Sequence, residues 1–304
     1  CNADQRISGN VTIHVSDAFT NEDIEGVGVK FGCGNYKFCV IGSTQFDLES
    51  SSVILVTKLP ICRGGGIIKL EKDGYLDEIM TGFSVSIDEG FDIDMEMTQV
   101  IEKEVSIVKY MLKRDILYWN PNDNYGNNYT KLFVLETDPI EPNPENDSIL
   151  IMIRKVDSSP FVKFTTQFIS YDSEINSSTI RLVPGDYEVK TTFTNEKGST
   201  ILPDLRCKDN DNYKKHLDGD SDSLCYYLPE EDVVLDQSLI GGLEINNVTG
   251  YWRVSEEDLI EENRLELRIL QFPHPIILED LDEMGLVESV SDEYRSNLEP
   301  DFIS

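Results

Sequence analysis

Val11-Thr12-Ile13-His14-Val15 alternates apolar and polar side chains, and Val27-Gly28-Val29-Lys30-Phe31 repeats the alternation after a polar stretch from Asp17 to Asp23. A period of two sends successive side chains to opposite faces of an extended chain, so each run presents one greasy face and one wet face. Further runs follow at Val53 to Val56, Ile67 to Leu70 and Phe83 to Ile87, and then at Phe91, Ile93, Met95 and Met97. Short alternating runs separated by Gly, Asn and Asp clusters predict antiparallel strands stacked as a sandwich. Gly26 and Gly28 leave one face of the second run bare, which lets another strand approach closely.

Working outward, Val100 to Leu112 is a longer alternation that predicts a strand crossing into a second region. Asn120 to Thr130 and the proline-bearing Asp138 to Ser148 read as loops. Strand-like runs resume at Lys131 to Leu135, Ile149 to Ile153, Phe161 to Ile169 and Thr179 to Val183, and Pro184-Gly185-Asp186 reads as a turn into Tyr187-Glu188-Val189. Leu243 to Ile245, Tyr251 to Val254 and Leu265 to Phe272 continue the second sandwich region. Acidic residues 278–304 space Leu281, Met284, Leu286 and Val287 for a short amphipathic helix packed on that region.

Ile7-Ser8-Gly9-Asn10-Val11, followed by Ile24-Glu25-Gly26-Val27-Gly28-Val29 and later by Lys72-Asp73-Gly74-Tyr75, resembles the carboxypeptidase regulatory-like family. In that family a first strand leads through a polar turn into an "I-x-G-V-x-V" strand, and "K-x-G-Y" follows a later strand. Residues 33–52 depart from the pattern. The resemblance covers about the first third of the chain and implies a transthyretin-like sandwich of about seven strands, serving as a non-catalytic module. The fold expected is therefore all-β: two or three tandem antiparallel sandwiches, Ig-like or transthyretin-like, with a short C-terminal helical tail. The organisation expected is a tether at 1–6, the regulatory-like sandwich at 7–100, a second sandwich region at 101–277 and the tail at 278–304.

Of the 304 residues, 57 are Asp or Glu and 26 are Lys or Arg, a net charge of -31 at pH 7. Such a field repels nucleic acid, whose binding runs through Lys and Arg. It repels an anionic bilayer too, and no apolar run reaches the length of about 20 residues that spans a membrane. Cys1, followed by small and polar residues, is expected to be a lipid-modified anchor, placing the chain on the cell surface with membrane contact only through lipid. The other cysteines lack metal-binding spacing, so disulfides are expected: Cys207 with Cys225, closing loop 207–225, and Cys33 with Cys39 in preference to Cys62. Cys62 is left without an assigned partner. Asn10, Asn128, Asn146, Asn176 and Asn247 head Asn-X-Ser/Thr sequons and are candidate glycosylation sites.

Inside loop 207–225, Asp209 and Asp211 precede Asp218, Asp220 and Asp222, and the last three have the one-three-five spacing of a calcium loop. Ser223 stands where the EF-hand needs glycine and Pro229 where it needs a bidentate Glu, so only an irregular calcium site is open; no other cofactor is expected. His14, His216 and His274 are scattered, and no metalloprotease, nucleophile-elbow, phosphate-loop or dinucleotide fingerprint occurs. Trp119, Tyr125 and Tyr129 frame an Asn-rich loop of the composition seen in carbohydrate-binding surfaces, with core packing the alternative for Trp119 and Trp252. The function expected is a non-catalytic structural or adhesive module of the cell surface, partnered by an envelope or extracellular protein or glycan. The alternatives are a filament subunit that completes a neighbouring copy's sandwich with a strand, and a hydrolase built on paired carboxylates.

Overall fold

The computed structural model describes residues 6–33, 37–62, 65–119, 129–156, 166–172, 174, 178–208 and 224–303, with the backbone alone described at 115–119, 129–132, 205–208 and 224–226. The chain folds as β-sandwiches with a short helical segment near its end.

The first sandwich uses eight strands: β1 (Val11–Asp17), β2 (Gly28–Cys33), β3 (Phe38–Ser43), β4 (Gln45–Asp47), β5 (Ser52–Thr57), β6 (Gly66–Glu71), β7 (Glu78–Phe83) and β8 (Phe91–Met97). They form two sheets, ordered β4-β5-β1-β8 and β3-β2-β6-β7. The period-two pattern is the reason they stack. Val11, Ile13 and Val15 from one sheet, and Val29, Phe31, Ile68 and Leu70 from the other, all share one buried core. One expectation is corrected here, because β8 runs parallel to β1, with Val11 opposite Phe91. The strands start side by side because Gly9 and Gly90 cross in backbone contact: a Cβ on Gly9 would sit 2.4 Å from Gly90 N, and one on Gly90 would sit 2.4 Å from Asn10 O.

The expected Cys33–Cys39 bond is also corrected, since Cys33 pairs with Cys62 across a Cα separation of 5.6 Å. Register explains the outcome. Cys39 lies opposite Phe31, two residues along β2 from Cys33, whereas Cys33 lies opposite Gly66 on the strand that Cys62 precedes. Cys39 is disulfide-bonded as well.

The second region contains β9 (Ile101–Trp119), β10 (Tyr129–Leu135), β11 (Asp147–Lys155), β12 (Gln167–Tyr171), β13 (Ser178–Leu182), β14 (Gly185–Asn195), β15 (Ser199–Ile201), β16 (Asp204–Lys208), β17 (Leu224–Leu228), β18 (Val233–Leu235), β19 (Ser238–Ile245), β20 (Trp252–Val254), α1 (Glu256–Glu261), β21 (Arg264–Gln271), a 3-10 stretch (Leu278–Leu286), α2 (Val287–Glu293), α3 (Arg295–Leu298) and β22 (Asp301–Ile303). One sheet runs β10-β9-β21-β19-β14-β11-β12, with β13 also on β9, β20 on β14 and β22 on β21. Here too a parallel pair departs from the antiparallel expectation, because β21 runs alongside β9. β19 and β21 pair over a short ladder, Gly241–Gln271 and Gly242–Leu270, continued by the Phe272 N–H donating to Ile240 O at 2.7 Å. Glycine is required there, because a Cβ on Gly241 would lie 2.0 Å from Leu270 O and one on Gly242 would lie 2.2 Å from Thr191 O.

Leu182, Tyr187, Phe193, Trp252, Ile269 and Phe272 belong to the core enclosed by this fold, and Val290 and Leu298 join them from the helical segment. Trp252 is therefore a core residue. The turn before β14 is shorter than expected because Tyr187, fully buried, donates its hydroxyl proton to Val183 O at 2.8 Å and accepts the Val183 N–H at 3.0 Å. Burial pushes the Tyr187 phenol strongly up, so it remains a donor. The helical segment is tied down electrostatically, with Arg114 on β9 contacting Asp280 at 3.2 Å and Glu283 at 2.9 Å.

Candidate functional site

Along one edge of β9 the hydrogen-bonding partners change. Ile101 to Val105 lie opposite β13, ending at Val105–Ser178. Lys109 exchanges both backbone bonds with Ile140, at 2.8 and 2.9 Å, and β10 takes over from Leu112.

β12 approaches this edge from across the seam. β12 and β13 are joined at one point by a side chain: Gln167 Nε2 donates to Arg181 O at 2.6 Å, and Gln167 Oε1 accepts the Arg181 N–H at 3.0 Å. Beyond that bridge the strands leave a cleft of about 660 Å³ between β9, β12 and the start of β21. Ile107 and Ile169 form its apolar floor, while Ser106, Ser178, Thr179, Glu104, Glu141 and Glu266 supply hydroxyls and carboxylates. Tyr171 stands at the wall with its hydroxyl donating to Pro142 O at 3.0 Å. Burial, with Asp147 and Glu141 nearby, pushes its phenol up.

The β21 side of the cleft is fixed by charge. Arg268 bonds Glu266 at 2.9 Å and Asp301 at 2.8 Å, and Arg264 lies 3.8 Å from Glu104. Burial alone would lower the Arg268 pKa, but its bond to Glu266 and the charge of Asp301 outweigh burial and raise it. Glu266 is thereby held in place as an acceptor. At the seam's other end, Lys109 reaches Asp147 at 2.7 Å, with its ammonium 5.4 Å from the centre of the buried Phe193 ring.

A smaller hollow of about 370 Å³ in the first sandwich gathers Asp17, Glu22, Asp23, Glu25, Lys72 and Tyr75. Burial raises the Asp17 pKa, but bonds from the Thr20 and Phe19 amides and from Tyr75 outweigh it and hold the carboxyl below its usual range. Asp23 is occupied by neighbouring strands: it accepts the Val53 N–H at 3.0 Å and contacts His14 at 2.6 Å. His14 faces outward, as its place in the alternation predicts.

Of the residues singled out by sequence, Asp209, Asp211, Asp218, Asp220 and Asp222 lie outside the described residues, as do Cys1, Asn128 and Asn176. Cys207 and Cys225 face each other in backbone register on β16 and β17; their side chains are outside the description. Asn10 and Asn247 are exposed and Asn146 is half-buried. Among the described residues no group of three His, Cys, Asp or Glu side chains is arranged to hold a metal ion. Sequence reading named none of the cleft residues. The available signal was Gln167 and Arg181, one polar residue in each of two adjacent strand runs, and it has meaning only once the strands are placed.

No family model matches the chain, and no curated protein matches it. Solved structures with some likeness include a putative carbohydrate binding protein from Bacteroides uniformis, at 12% identity over 62% of this chain and 90% of that one, with a TM-score of 0.25. The Bacillus anthracis TIE protein matches at 12% identity over 88% of this chain and 50% of its own, TM-score 0.25. The shaft pilin SpaA from Lactobacillus rhamnosus GG matches at 10% identity over 89% of this chain and 99% of its own, TM-score 0.23. Likeness at these TM-scores carries no weight for function.

Proposed function

We propose that this chain is a non-catalytic binding module working outside the reducing cytosol, and that it holds a carbohydrate in the cleft beside β9. The observation that carries the reading is the cleft itself, a polar recess of about 660 Å³ whose hydroxyls and carboxylates are spread over an apolar floor. Sugars offer many hydroxyl donors around a weakly apolar ring, and carboxylates accept such donors in strong charge-assisted bonds. The Cys33–Cys62 bond supports an oxidising compartment, and the net charge of -31 weighs against nucleic acid. The first sandwich, on this reading, is a carboxypeptidase regulatory-like spacer. Surface attachment through an acyl chain on Cys1, calcium in loop 207–225 and glycans on the sequons belong to the same proposal.

The strand edges weigh against a filament built by edge-to-edge pairing. β8 carries Asp92, Asp94 and Glu96, all exposed, and pairing it with its own copy would place carboxylates opposite one another. β4 is three residues long, and Arg6 covers the carbonyls of Ile41 and Val40 on β3 at 3.2 and 3.3 Å. Edges shortened, charged or capped in these ways resist adding a further strand.

Isothermal titration against neutral, cationic and anionic oligosaccharides tests the reading. Ser106→Trp, which fills the cleft from the outer face of β9, is expected to weaken binding at least tenfold while leaving the denaturation midpoint in place. A wild-type protein that binds no oligosaccharide at millimolar concentration overturns the proposal.

A further inference from the structure

Resting on the carbohydrate reading, we infer that the cleft is one end of a groove along the outer face of β9, and that its ligand is an uncharged linear oligosaccharide bound along that groove. The cleft adjoins a second hollow of about 470 Å³, and the two share Glu104, Thr179 and Arg264 in their walls. Beyond these shared residues the second hollow continues to Glu102 and Asn263.

Strand register explains the continuity. Thr179 on β13 and Arg264 on β21 both lie opposite Glu104 on β9, and residues directly opposed in a sheet put their side chains on the same face. Side chains two apart along a strand share a face as well. Glu102, Glu104, Ser106 and Val108 therefore form one row along β9, on the face opposite to Lys103, which is 4% exposed. From Glu102 to Val108 the row runs about 20 Å, several times the width of one pyranose ring. A single sugar leaves most of that length to water, whereas a chain covers it.

The pairing of charges along the row decides which chain fits. Glu104 lies 3.8 Å from Arg264, Glu266 bonds Arg268 at 2.9 Å, and Glu102 stands opposite Arg181 in register. Lys103, in the wall of the second hollow, gives its ammonium to Leu259 O at 2.6 Å. The row is thus close to electrically balanced, with Glu141 at the cleft wall in excess. A polycation would have to compete with guanidinium groups already in place, and a polyanion would meet the field of a chain carrying a net charge of -31. A sugar hydroxyl both donates and accepts. It can give its proton to a carboxylate and take one from the neighbouring guanidinium, leaving the pair intact.

The test titrates the whole chain with cello-oligosaccharides and xylo-oligosaccharides from monomer to hexamer, and with tetramers of glucosamine and of galacturonic acid as charged chains. In the neutral series that binds, the tetramer is expected to bind at least about tenfold tighter than the dimer, the equivalent of one or two further net hydrogen bonds. That affinity is expected to hold between about 0.05 and 0.5 M NaCl, because no net charge is neutralised on binding. Asn263→Trp, which fills the second hollow from an exposed position, is expected to remove the gain with length and to leave dimer affinity at the parent value. A dimer as tight as the tetramer in the parent protein overturns the groove and leaves the carbohydrate reading standing. A gain with length that survives Asn263→Trp overturns the path along β9. A charged tetramer that outcompetes every neutral one overturns the uncharged assignment, again without touching the carbohydrate reading. If no sugar of any class binds, both proposals fall together.

Discussion

Residues 11–97 supply one core and residues 107–298 the other, and the two are closed by different means. The first sandwich is fastened covalently, by the Cys33–Cys62 bond between the end of β2 and the segment before β6, and by the close backbone crossing of Gly9 and Gly90. The second is fastened by strand pairing and charge: β9 beside β21, the bare glycines at β19, Arg114 on Asp280 and Glu283, and the Gln167 carboxamide on Arg181. The larger cleft lies in this second region. The first sandwich holds a smaller acidic hollow.

The strongest way to break the comparison is at Gly241. Gly241→Ala places a methyl carbon 2.0 Å from Leu270 O, against backbone that cannot swing aside. A loss of more than about 3 kcal/mol is expected in the second region, from strand displacement beyond ordinary overpacking. Urea titration followed at Trp252, which lies in the second core, reads that loss. Hydrogen exchange of the Val11 and Ile13 amides reads the first sandwich, which is expected to keep its protection. Loss of protection in both would mean that the two cores unfold as one unit.

The mirror experiment removes the covalent fastening. Replacing Cys33 and Cys62 together by Ser opens a bond spanning a sequence separation of 29, for which chain-entropy estimates give about 3.5 kcal/mol. The first sandwich is expected to lose roughly that amount and the second to lose none. Intact mass before and after reduction adds a sharper point. Cys39 is disulfide-bonded as well as Cys33 and Cys62, so reduction is expected to add the mass of more than one pair of thiol hydrogens.

The contrast between the sandwiches also governs what was legible in the sequence. Val11, Ile13 and Val15 announce a half-buried strand by period alone, and Phe91 to Met97 does so equally clearly. Their parallel pairing was not legible, because period fixes the face of a strand and says nothing of its neighbour. Ser255-Glu256-Glu257-Asp258 is a capping box that marks the start of α1, a signal present in the sequence and passed over. β22 was invisible, since Asp301 to Ile303 acquires its strand only from β21. The cleft was least legible of all: its lining comes from β9, β12, β13 and β21, which meet only in the fold.

A smaller effect is expected at Gln167. Gln167→Glu keeps the size and the acceptor but loses the Nε2 donor to Arg181 O, and sets a carboxylate against a backbone carbonyl. About 1 to 2 kcal/mol is expected from the second region, with faster exchange at the Arg181 amide. Unchanged exchange there would mean that the seam is held by something other than the carboxamide.

The smallest effect separates the sandwiches by pH. Hydrogen bonds in the turn hold the Asp17 carboxyl below its ordinary 3.8. Lys30 and Lys69 hydrogen bonds hold Glu71 below its ordinary 4.5, against burial. A carboxyl whose folded pKa lies under its unfolded one adds stability that is fully present above the unfolded value and is lost as pH falls through the folded value. Both groups belong to the first sandwich, so its stability is expected to decline from about pH 4.5 downward as they protonate. Asp17→Asn should flatten part of that decline and cost under about 1 kcal/mol at pH 7, because the amide oxygen still accepts from Thr20 and Phe19 while losing the charge that strengthens those bonds. Denaturation midpoints of the variant and the parent, taken from pH 3 to pH 7, should converge at the acid end. Midpoints that stay parallel throughout would place the acid sensitivity of the first sandwich elsewhere.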